Sequence, residues 1–422
     1  MSRGTGRGRA YVIGAGLAGL AAAEALSRTR ETVVLEASPK AGGRCRSYRD
    51  GRLGRVIDNG NHLILSSNAA VLGWADRIGG ADRLEMGAAA FPFLDLADGA
   101  RWTIRPGRGP LGALARSARP PGTSLAPLAR QMAAVLASRG TVAEAVRDRG
   151  PLWRGFWDPM TRAVLNEDPA EGAARPLGRV MLRSFARGAA ASRPVLAPEG
   201  LGAALVDPAV ALLEGRGARV SLRAPVQALE GDDRLRTIRL RDGDVALGPA
   251  DVVVLAVPAA QAAALLPGLQ APKAGRAIAN AHFVLPDSGL PPILALLGGT
   301  AHWLFRRGDV VSVTVSAAER SGLDGLDRER ALARLWGDVA AAACAHGAAV
   351  PDAMPVARYI KEKAATFDQS VAGEAARTGP GTRWPNLLLA GDHAATGLPA
   401  TLEGAVLSGE RAAARALERA GP

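Results

Sequence analysis

Apolar positions in this chain fall into short runs that stop abruptly at glycine or at an acid. The first, Tyr11-Val12-Ile13, ends at Gly14-Ala15-Gly16-Leu17-Ala18-Gly19, and an Ala-rich helical stretch follows through Leu26. A second, Thr32-Val33-Val34-Leu35, ends in Glu36. Strand, glycine turn, helix and strand in that order predict a βαβ unit of a parallel sheet. Further on, Arg219 to Leu222 and Pro225 to Leu229 read as strands, Leu235 to Leu240 with Val245 to Leu247 as an alternating pair, and Val252 to Val257 as a fully buried strand. Asn386 to Ala390 is another buried strand, ending in Gly391-Asp392-His393, and a helix follows to the C-terminus. Residues 71–193 read as largely helical, with Pro/Gly-rich interruptions from Pro106 to Gly122, and Val310 to Val315 predicts a strand of a second sheet. Leu125 through Leu136 has amphipathic helical spacing, with Trp153, Phe156 and Trp157 nearby; it suits either the packing of a helical cap or a helix dipping into a membrane surface.

The first turn carries chemistry. In GxGxxG, Gly14 allows the tight turn, Gly16 lets backbone approach a pyrophosphate, and Gly19 lets the helix pack on the strand with its N-terminus toward the phosphates. Leu17 and Ala18 open that helix. Glu36, about 20 residues on, is placed to accept hydrogen bonds from a ribose diol, with Ala37 beside it. An acid at that point favours FAD or NAD over NADP. Two further loops follow: Ala41-Gly42-Gly43-Arg44, whose Gly pair exposes amides while Arg44 can fork onto a phosphate, and Asp58-Asn59-Gly60-Asn61-His62.

With these loops the chain resembles the FAD-dependent amine oxidase and carotenoid desaturase superfamily, whose members carry GGR after the acidic strand end and a DxGxH-like segment passing the flavin ring. The resemblance implies FAD as cofactor and a role for Gly60, Asn61 and His62 at the ring. It places Gly391 and Asp392 at the ribityl-phosphate region, the amides of Thr401-Leu402-Glu403-Gly404-Ala405 at the flavin O2 edge, and the backbone of Val226 at the adenine. A helix N-terminus there stabilises the anionic side of reduced flavin.

A closer resemblance rests on Asn59 to Asn68, Gly298 to Phe305, Val310 to Ala318 and Ala394 to Thr401. Together these segments are similar to the squalene-associated flavoprotein family, the hydroxysqualene dehydroxylases. The chain departs from that pattern within Ile360 to Phe367, where a basic residue is expected just before Ala-Thr-Phe, and at His393, where an aromatic is expected. The resemblance implies reductive dehydroxylation of 12-hydroxysqualene to squalene, with hydride from reduced FAD, an external reductant for the flavin, and a dry pocket including Trp303, Phe305, Leu398 and Pro399. His62 is the candidate to position the flavin or to protonate the departing hydroxyl, against a purely structural hydrogen bond in its loop. Three alternatives stand beside this reading: a carotenoid or phytoene-type desaturase, an amine oxidase, and a flavin or lipid carrier without turnover.

The fold expected is α/β: a Rossmann-like FAD-binding domain of residues 1–70, 194–258 and 384–422, interleaved with an α+β substrate domain of 71–193 and 259–383 that carries a helical cap. At 422 residues and 48% hydrophobic, the chain can bury a large core. Its formal charge of +12 would suit nucleic acid, yet aromatics are only 4% and no recognition module is visible, so nucleic acid is set aside. The arginines run along the whole chain; codon bias accounts for them, or else a basic face touches anionic lipid. Arg3, Arg7 and Arg9 ahead of an apolar run imitate a secretory leader, but cleavage there would remove the glycine turn. Cys45 and Cys344 lack CxxC spacing, so neither a disulfide framework nor a metal site is expected. The absence of any apolar run of about 18 residues argues against a spanning helix. The location expected is cytoplasmic, with peripheral contact at the inner face of the membrane.

Overall fold

The computed structural model describes residues 8–419, which leaves Arg3 and Arg7 outside. Among the described residues, five parallel strands form the first sheet in the order Arg219–Ser221, Thr32–Leu35, Ala10–Ile13, Val252–Leu255, Leu387–Leu389. Both faces are covered, which is why these strands read as unbroken apolar runs. Ala10, Val12, Val34, Val252 and Leu388 face the helices Leu17–Leu26 and Leu402–Arg419. Tyr11, Ile13, Leu35, Val253 and Leu387 face an antiparallel meander, Val226–Glu230, Thr237–Leu240 and Val245–Ala246, closed by Trp384. The two helices touch closely: a Cβ on Gly409 would lie 2.1 Å from the Ala18 carbonyl oxygen.

The second sheet has seven strands, in the order Ala357–Glu362, Ile278–Val284, Val310–Val315, Trp303–Arg307, Ile293–Leu297, Phe91–Asp95, Arg101–Ile104. All its pairings are antiparallel except that of Ile293–Leu297 with Phe91–Asp95. Period-two alternation again divides its faces. Phe283, Leu296, Val311 and Val313 pack under the helix Arg328–Ala345, whereas Phe93, Ala295 and Trp303 face a roof of the helices Leu125–Ala137, Asp158–Leu165 and Ala174–Arg183. This roof is the cap.

Two local features bear on the domain boundary and the cap. The helix Ala69–Arg77 buries Val71, Trp74 and Ala75 in the core beneath the first sheet, beyond the boundary expected at residue 70. Leu125–Ala137 packs as part of the cap: Val135 and Gln131 are buried, Gln131 Oε1 accepts the Trp157 indole N–H at 2.8 Å, and the exposed positions include the small residues Ala126, Ala129, Ala133 and Ala137.

Candidate functional site

At the carboxyl end of the central strand Ala10–Ile13, a Cβ on Gly19 would fall 1.9 Å from the Gly14 carbonyl oxygen, so only glycine lets the turn close. A Cβ on Gly16 would meet no protein atom within 4 Å, so bare backbone faces open space. The Gly42-Gly43 turn lies opposite, tied by a hydrogen bond from the Gly42 amide to the Ala15 carbonyl at 2.8 Å. Two glycine turns and the N-terminus of Leu17–Leu26 therefore face one crevice, the donor set a pyrophosphate needs. Glu36 is buried at its rim, accepting the Ala15 amide at 2.7 Å on one oxygen and the Ser38 amide and hydroxyl at 2.8 and 2.5 Å on the other. The oxygen that holds Ala15 keeps one lone pair open, enough to accept one ribose hydroxyl. Ala224, two residues before Val226, donates its amide to the Glu36 carbonyl at 2.8 Å, which brings the start of the meander to the same crevice.

Arg44 is not an open fork. Its Nη2 ion-pairs with Asp392 at 2.7 Å and its Nη1 donates to the Ala365 carbonyl at 2.8 Å, so it pins the two loops together. Burial alone would disfavour the Asp392 charge, but Arg44 outweighs it and holds the carboxyl well below the usual carboxylate range. His393, the residue found where an aromatic was expected, is 2% exposed and has no hydrogen-bond partner on either ring nitrogen. Its 3.9 Å separation from Asp392 is too long for a hydrogen bond.

Below the crevice a cavity opens between the second sheet and the cap. Space for the centre of a water-sized sphere amounts to about 260 Å³, many times the roughly 10–15 Å³ that one water needs. One wall collects Arg44, Gly60, Asn61, His62, Thr401, Leu402 and Glu403; Trp303, Phe305 and Leu398 line it elsewhere, while Pro399 is buried outside the lining. Most of the interior is apolar, from Phe91, Phe93, Phe156, Met160 and Met181. The polar side is a chain: Asn61 Nδ2 donates to Thr314 Oγ1 at 3.0 Å, and Thr314 Oγ1 donates to Asn280 Oδ1 at 3.0 Å, leaving the buried Asn280 Nδ2 without a partner. Beside it, Asn59 Nδ2 donates to Glu362 Oε2 at 3.2 Å.

The family model for flavin-containing amine oxidoreductases matches residues 17–417. A hydroxysqualene dehydroxylase of Rhodopseudomonas palustris is 43% identical over 96% of this chain and 97% of its own length. The Zymomonas mobilis hydroxysqualene dehydroxylase is 38% identical over 96% and 98%. The chain belongs to the hydroxysqualene dehydroxylase family of flavin-containing amine oxidoreductases. It is an oxidoreductase, and FAD is its cofactor. Solved structures share the fold at low identity: cyclohexylamine oxidase from Brevibacterium oxydans superposes with a TM-score of 0.68 at 16% identity over 98% of this chain and 99% of that one. A Methanosarcina mazei oxidoreductase gives 0.69 at 14% over 95% and 98%.

Within this family frame the histidines and the C-terminal helix take clearer roles. His62 Nδ1 lies 2.9 Å from the Gly60 carbonyl; an oxygen there can only accept, so Nδ1 carries the hydrogen. Burial lowers the pKa of His62, which leaves Nε2 an acceptor at neutral pH and unsuited to protonating a leaving group. His282 and His302 are pushed down to about 4 by burial, and neither lines the cavity. At the helix Leu402–Arg419, the Gly404 amide donates to Thr401 Oγ1 at 3.0 Å and the Ala405 amide to the Thr401 carbonyl at 3.0 Å, so those two amides serve the helix itself. Thr401, Leu402 and Glu403 are the members of that turn on the cavity wall. The Glu403 carboxylate caps another helix, accepting the Ala70 and Val71 amides at 3.2 and 3.0 Å. Cys45 is packed, and burial raises its thiol pKa, so it stays neutral.

Sequence reasoning missed Asn280, Thr314 and Glu362. Their signal was available as polar residues in strands of the second sheet: Asn280 in Ile278-Ala279-Asn280-Ala281, Thr314 in Val310 to Val315, and Glu362 at the end of Ala357–Glu362.

Proposed function

We propose that this chain reduces 12-hydroxysqualene, an allylic C30 alcohol, to squalene with loss of water. The observation that carries the reading is an apolar cavity with a polar chain of Asn61, Thr314 and Asn280 on its wall, beside the residues that would hold the flavin. It is joined to relatives of 38–43% identity that bear the hydroxysqualene dehydroxylase name. The crevice formed by Gly16, Gly42, Gly43 and Glu36 would hold the dinucleotide portion, and the Leu402 and Glu403 amides would serve the ring. When bound and reduced, FAD supplies the hydride.

The chain's own side chains do the rest. Trp303, Phe305 and Phe156 keep water from a carbocation formed as the hydroxyl leaves, and their rings lower its energy. The hydroxyl must depart as water and needs a proton. Of the two carboxyl groups on the cavity wall, Glu403 is committed to the Ala70 and Val71 amides, whereas Glu362 has only one oxygen held, by Asn59. We assign proton delivery to Glu362. His62 accepts through Nε2 and orients the hydroxyl or the flavin. Electrons reach FAD from an external reductant. Among the described residues no helix is long and apolar enough to cross a membrane. In this reading the water-insoluble substrate is collected by peripheral contact with the bilayer.

The test is anaerobic turnover: reduced holoenzyme is mixed with 12-hydroxysqualene, flavin reoxidation is followed optically and squalene by mass spectrometry. Equal amounts of oxidised flavin and squalene are expected. A flavin that stays reduced over unchanged alcohol would overturn the reading and favour a desaturase.

A further inference from the structure

The excess charge of this chain is confined to two stretches in and beside the cap. Residues 99–143 contain seven arginines and no Asp or Glu, and residues 172–198 contain five arginines and no Asp or Glu. The remainder balances at 40 basic against 40 acidic residues, so these two stretches hold the whole +12. The arginines are therefore not evenly spread, and codon bias alone would not segregate them from every acid. Among the described residues, none of the twelve takes part in an ion pair. Those with hydrogen bonds, such as Arg119 and Arg193, spend them on backbone carbonyls, and Arg179 and Arg183 lie near Glu374 and Glu403 without pairing with them.

The two stretches meet at the cavity mouth. The Ala189 amide donates to the Gly107 carbonyl at 2.8 Å, and a Cβ on Gly188 would lie 2.6 Å from the Gly109 carbonyl oxygen. Arg108 and Leu111 are thereby carried on a turn seated beside Arg187. Leu111 and Leu114 are 74% and 48% exposed and Leu182, in the last turn of Ala174–Arg183, is 44% exposed. The next residue, Arg183, is exposed and also lines the cavity, which marks the opening. Unpaired arginines around protruding leucines match a bilayer interface, where guanidinium groups meet lipid phosphates and the leucines enter the acyl boundary.

We propose that this face of the cap docks on anionic phospholipid and sets the cavity mouth against the bilayer, so that the C30 substrate enters without crossing water. The choice of cargo rests on the dehydroxylase reading; the docking itself does not.

The test is flotation of holoenzyme with vesicles of equal parts phosphatidylglycerol and phosphatidylcholine, and with pure phosphatidylcholine. Binding to the anionic vesicles alone is expected, with release at about 0.5 M salt, where the Debye length falls to a few Å. The Arg108→Glu/Arg187→Glu variant should bind at least about 25-fold more weakly, at roughly fivefold per lost arginine. Leu111→Asn/Leu114→Asn should also bind more weakly while keeping the flavin spectrum. Both variants should turn over detergent-dispersed alcohol like the wild type and lose rate only when the alcohol is delivered in vesicles. Equal flotation with both lipids, no flotation, or undiminished binding of both variants would overturn the proposal. So would retention on RNA or heparin in preference to anionic vesicles, which would assign the face to a macromolecular polyanion. Wild-type inactivity in detergent would strike the dehydroxylase reading and leave the flotation result standing.

Discussion

The cofactor half and the cap use arginine in opposite ways. Around the first sheet, buried acids are surrounded: Glu24, 2% exposed, is bridged by Arg28, Arg77 and Arg216, and Asp392 by Arg44. Burial disfavours the Glu24 charge, but those arginines outweigh it and leave its pKa lowered. In the cap, Arg162 is paired with Asp158 and Asp168, but the arginines of the two acid-free stretches make no ion pair among the described residues. A paired charge fixes two parts of one molecule relative to each other, whereas an unpaired cluster stores affinity for something outside it.

That contrast can be broken in several places. Gly16→Val attacks the cofactor half where no protein atom is in the way, so the fold should survive while bound flavin falls by at least about tenfold. Flavin absorbance per protein, beside a melting curve, reads both; full flavin content would remove Gly16 from the pyrophosphate site. At the boundary of the two halves, Glu362→Gln should keep its flavin and lose about 10²- to 10⁴-fold in single-turnover rate. An unchanged rate would take the proton role from Glu362.

Asp392→Asn takes the partner from Arg44, whose side chain is 34% exposed, and should cost about 1–3 kcal/mol in denaturant unfolding. Its pH dependence has a definite sign. An aspartate titrates near about 3.9 when unfolded and lower when folded here, so its contribution is complete above about pH 5 and lost as pH falls through the acid range. The variant should therefore show a shallower acid limb than the wild type; parallel limbs would contradict the pairing argument. His62→Ala, at full flavin occupancy, should slow turnover by well under the roughly hundredfold expected of a lost general acid, because its Nε2 has no proton to give. The smallest effect belongs to the cap: Arg116→Gln should leave stability within about 0.5 kcal/mol, since no ion pair is lost. A larger change would reveal a structural role for that arginine.

Much of the cofactor half was legible along the chain. GxGxxG between an apolar strand and a helix, the terminal Glu36 and the Gly-Asp after a buried strand all depend on neighbours within a few dozen residues, and backbone geometry admits few solutions there. The cavity wall was less legible. Asn280, Thr314 and Glu362 come from strands far apart in sequence, and they meet because antiparallel register sets Asn280 opposite Thr314. Lone polar residues in such strands do not announce which of them will share a cavity.

The sequence by itself determined the parallel sheet, the FAD cradle and the family. It also held the charge segregation, as two acid-free stretches 28 residues apart whose meaning was invisible without the cap. Tertiary structure alone decided that Arg44 serves Asp392, that the His62 ring is a neutral acceptor, and that the acid-free stretches converge on the cavity mouth. The physical reason is range. Turn and strand chemistry is local, whereas pairing, burial and the surface a charge faces depend on which distant segments are brought into contact.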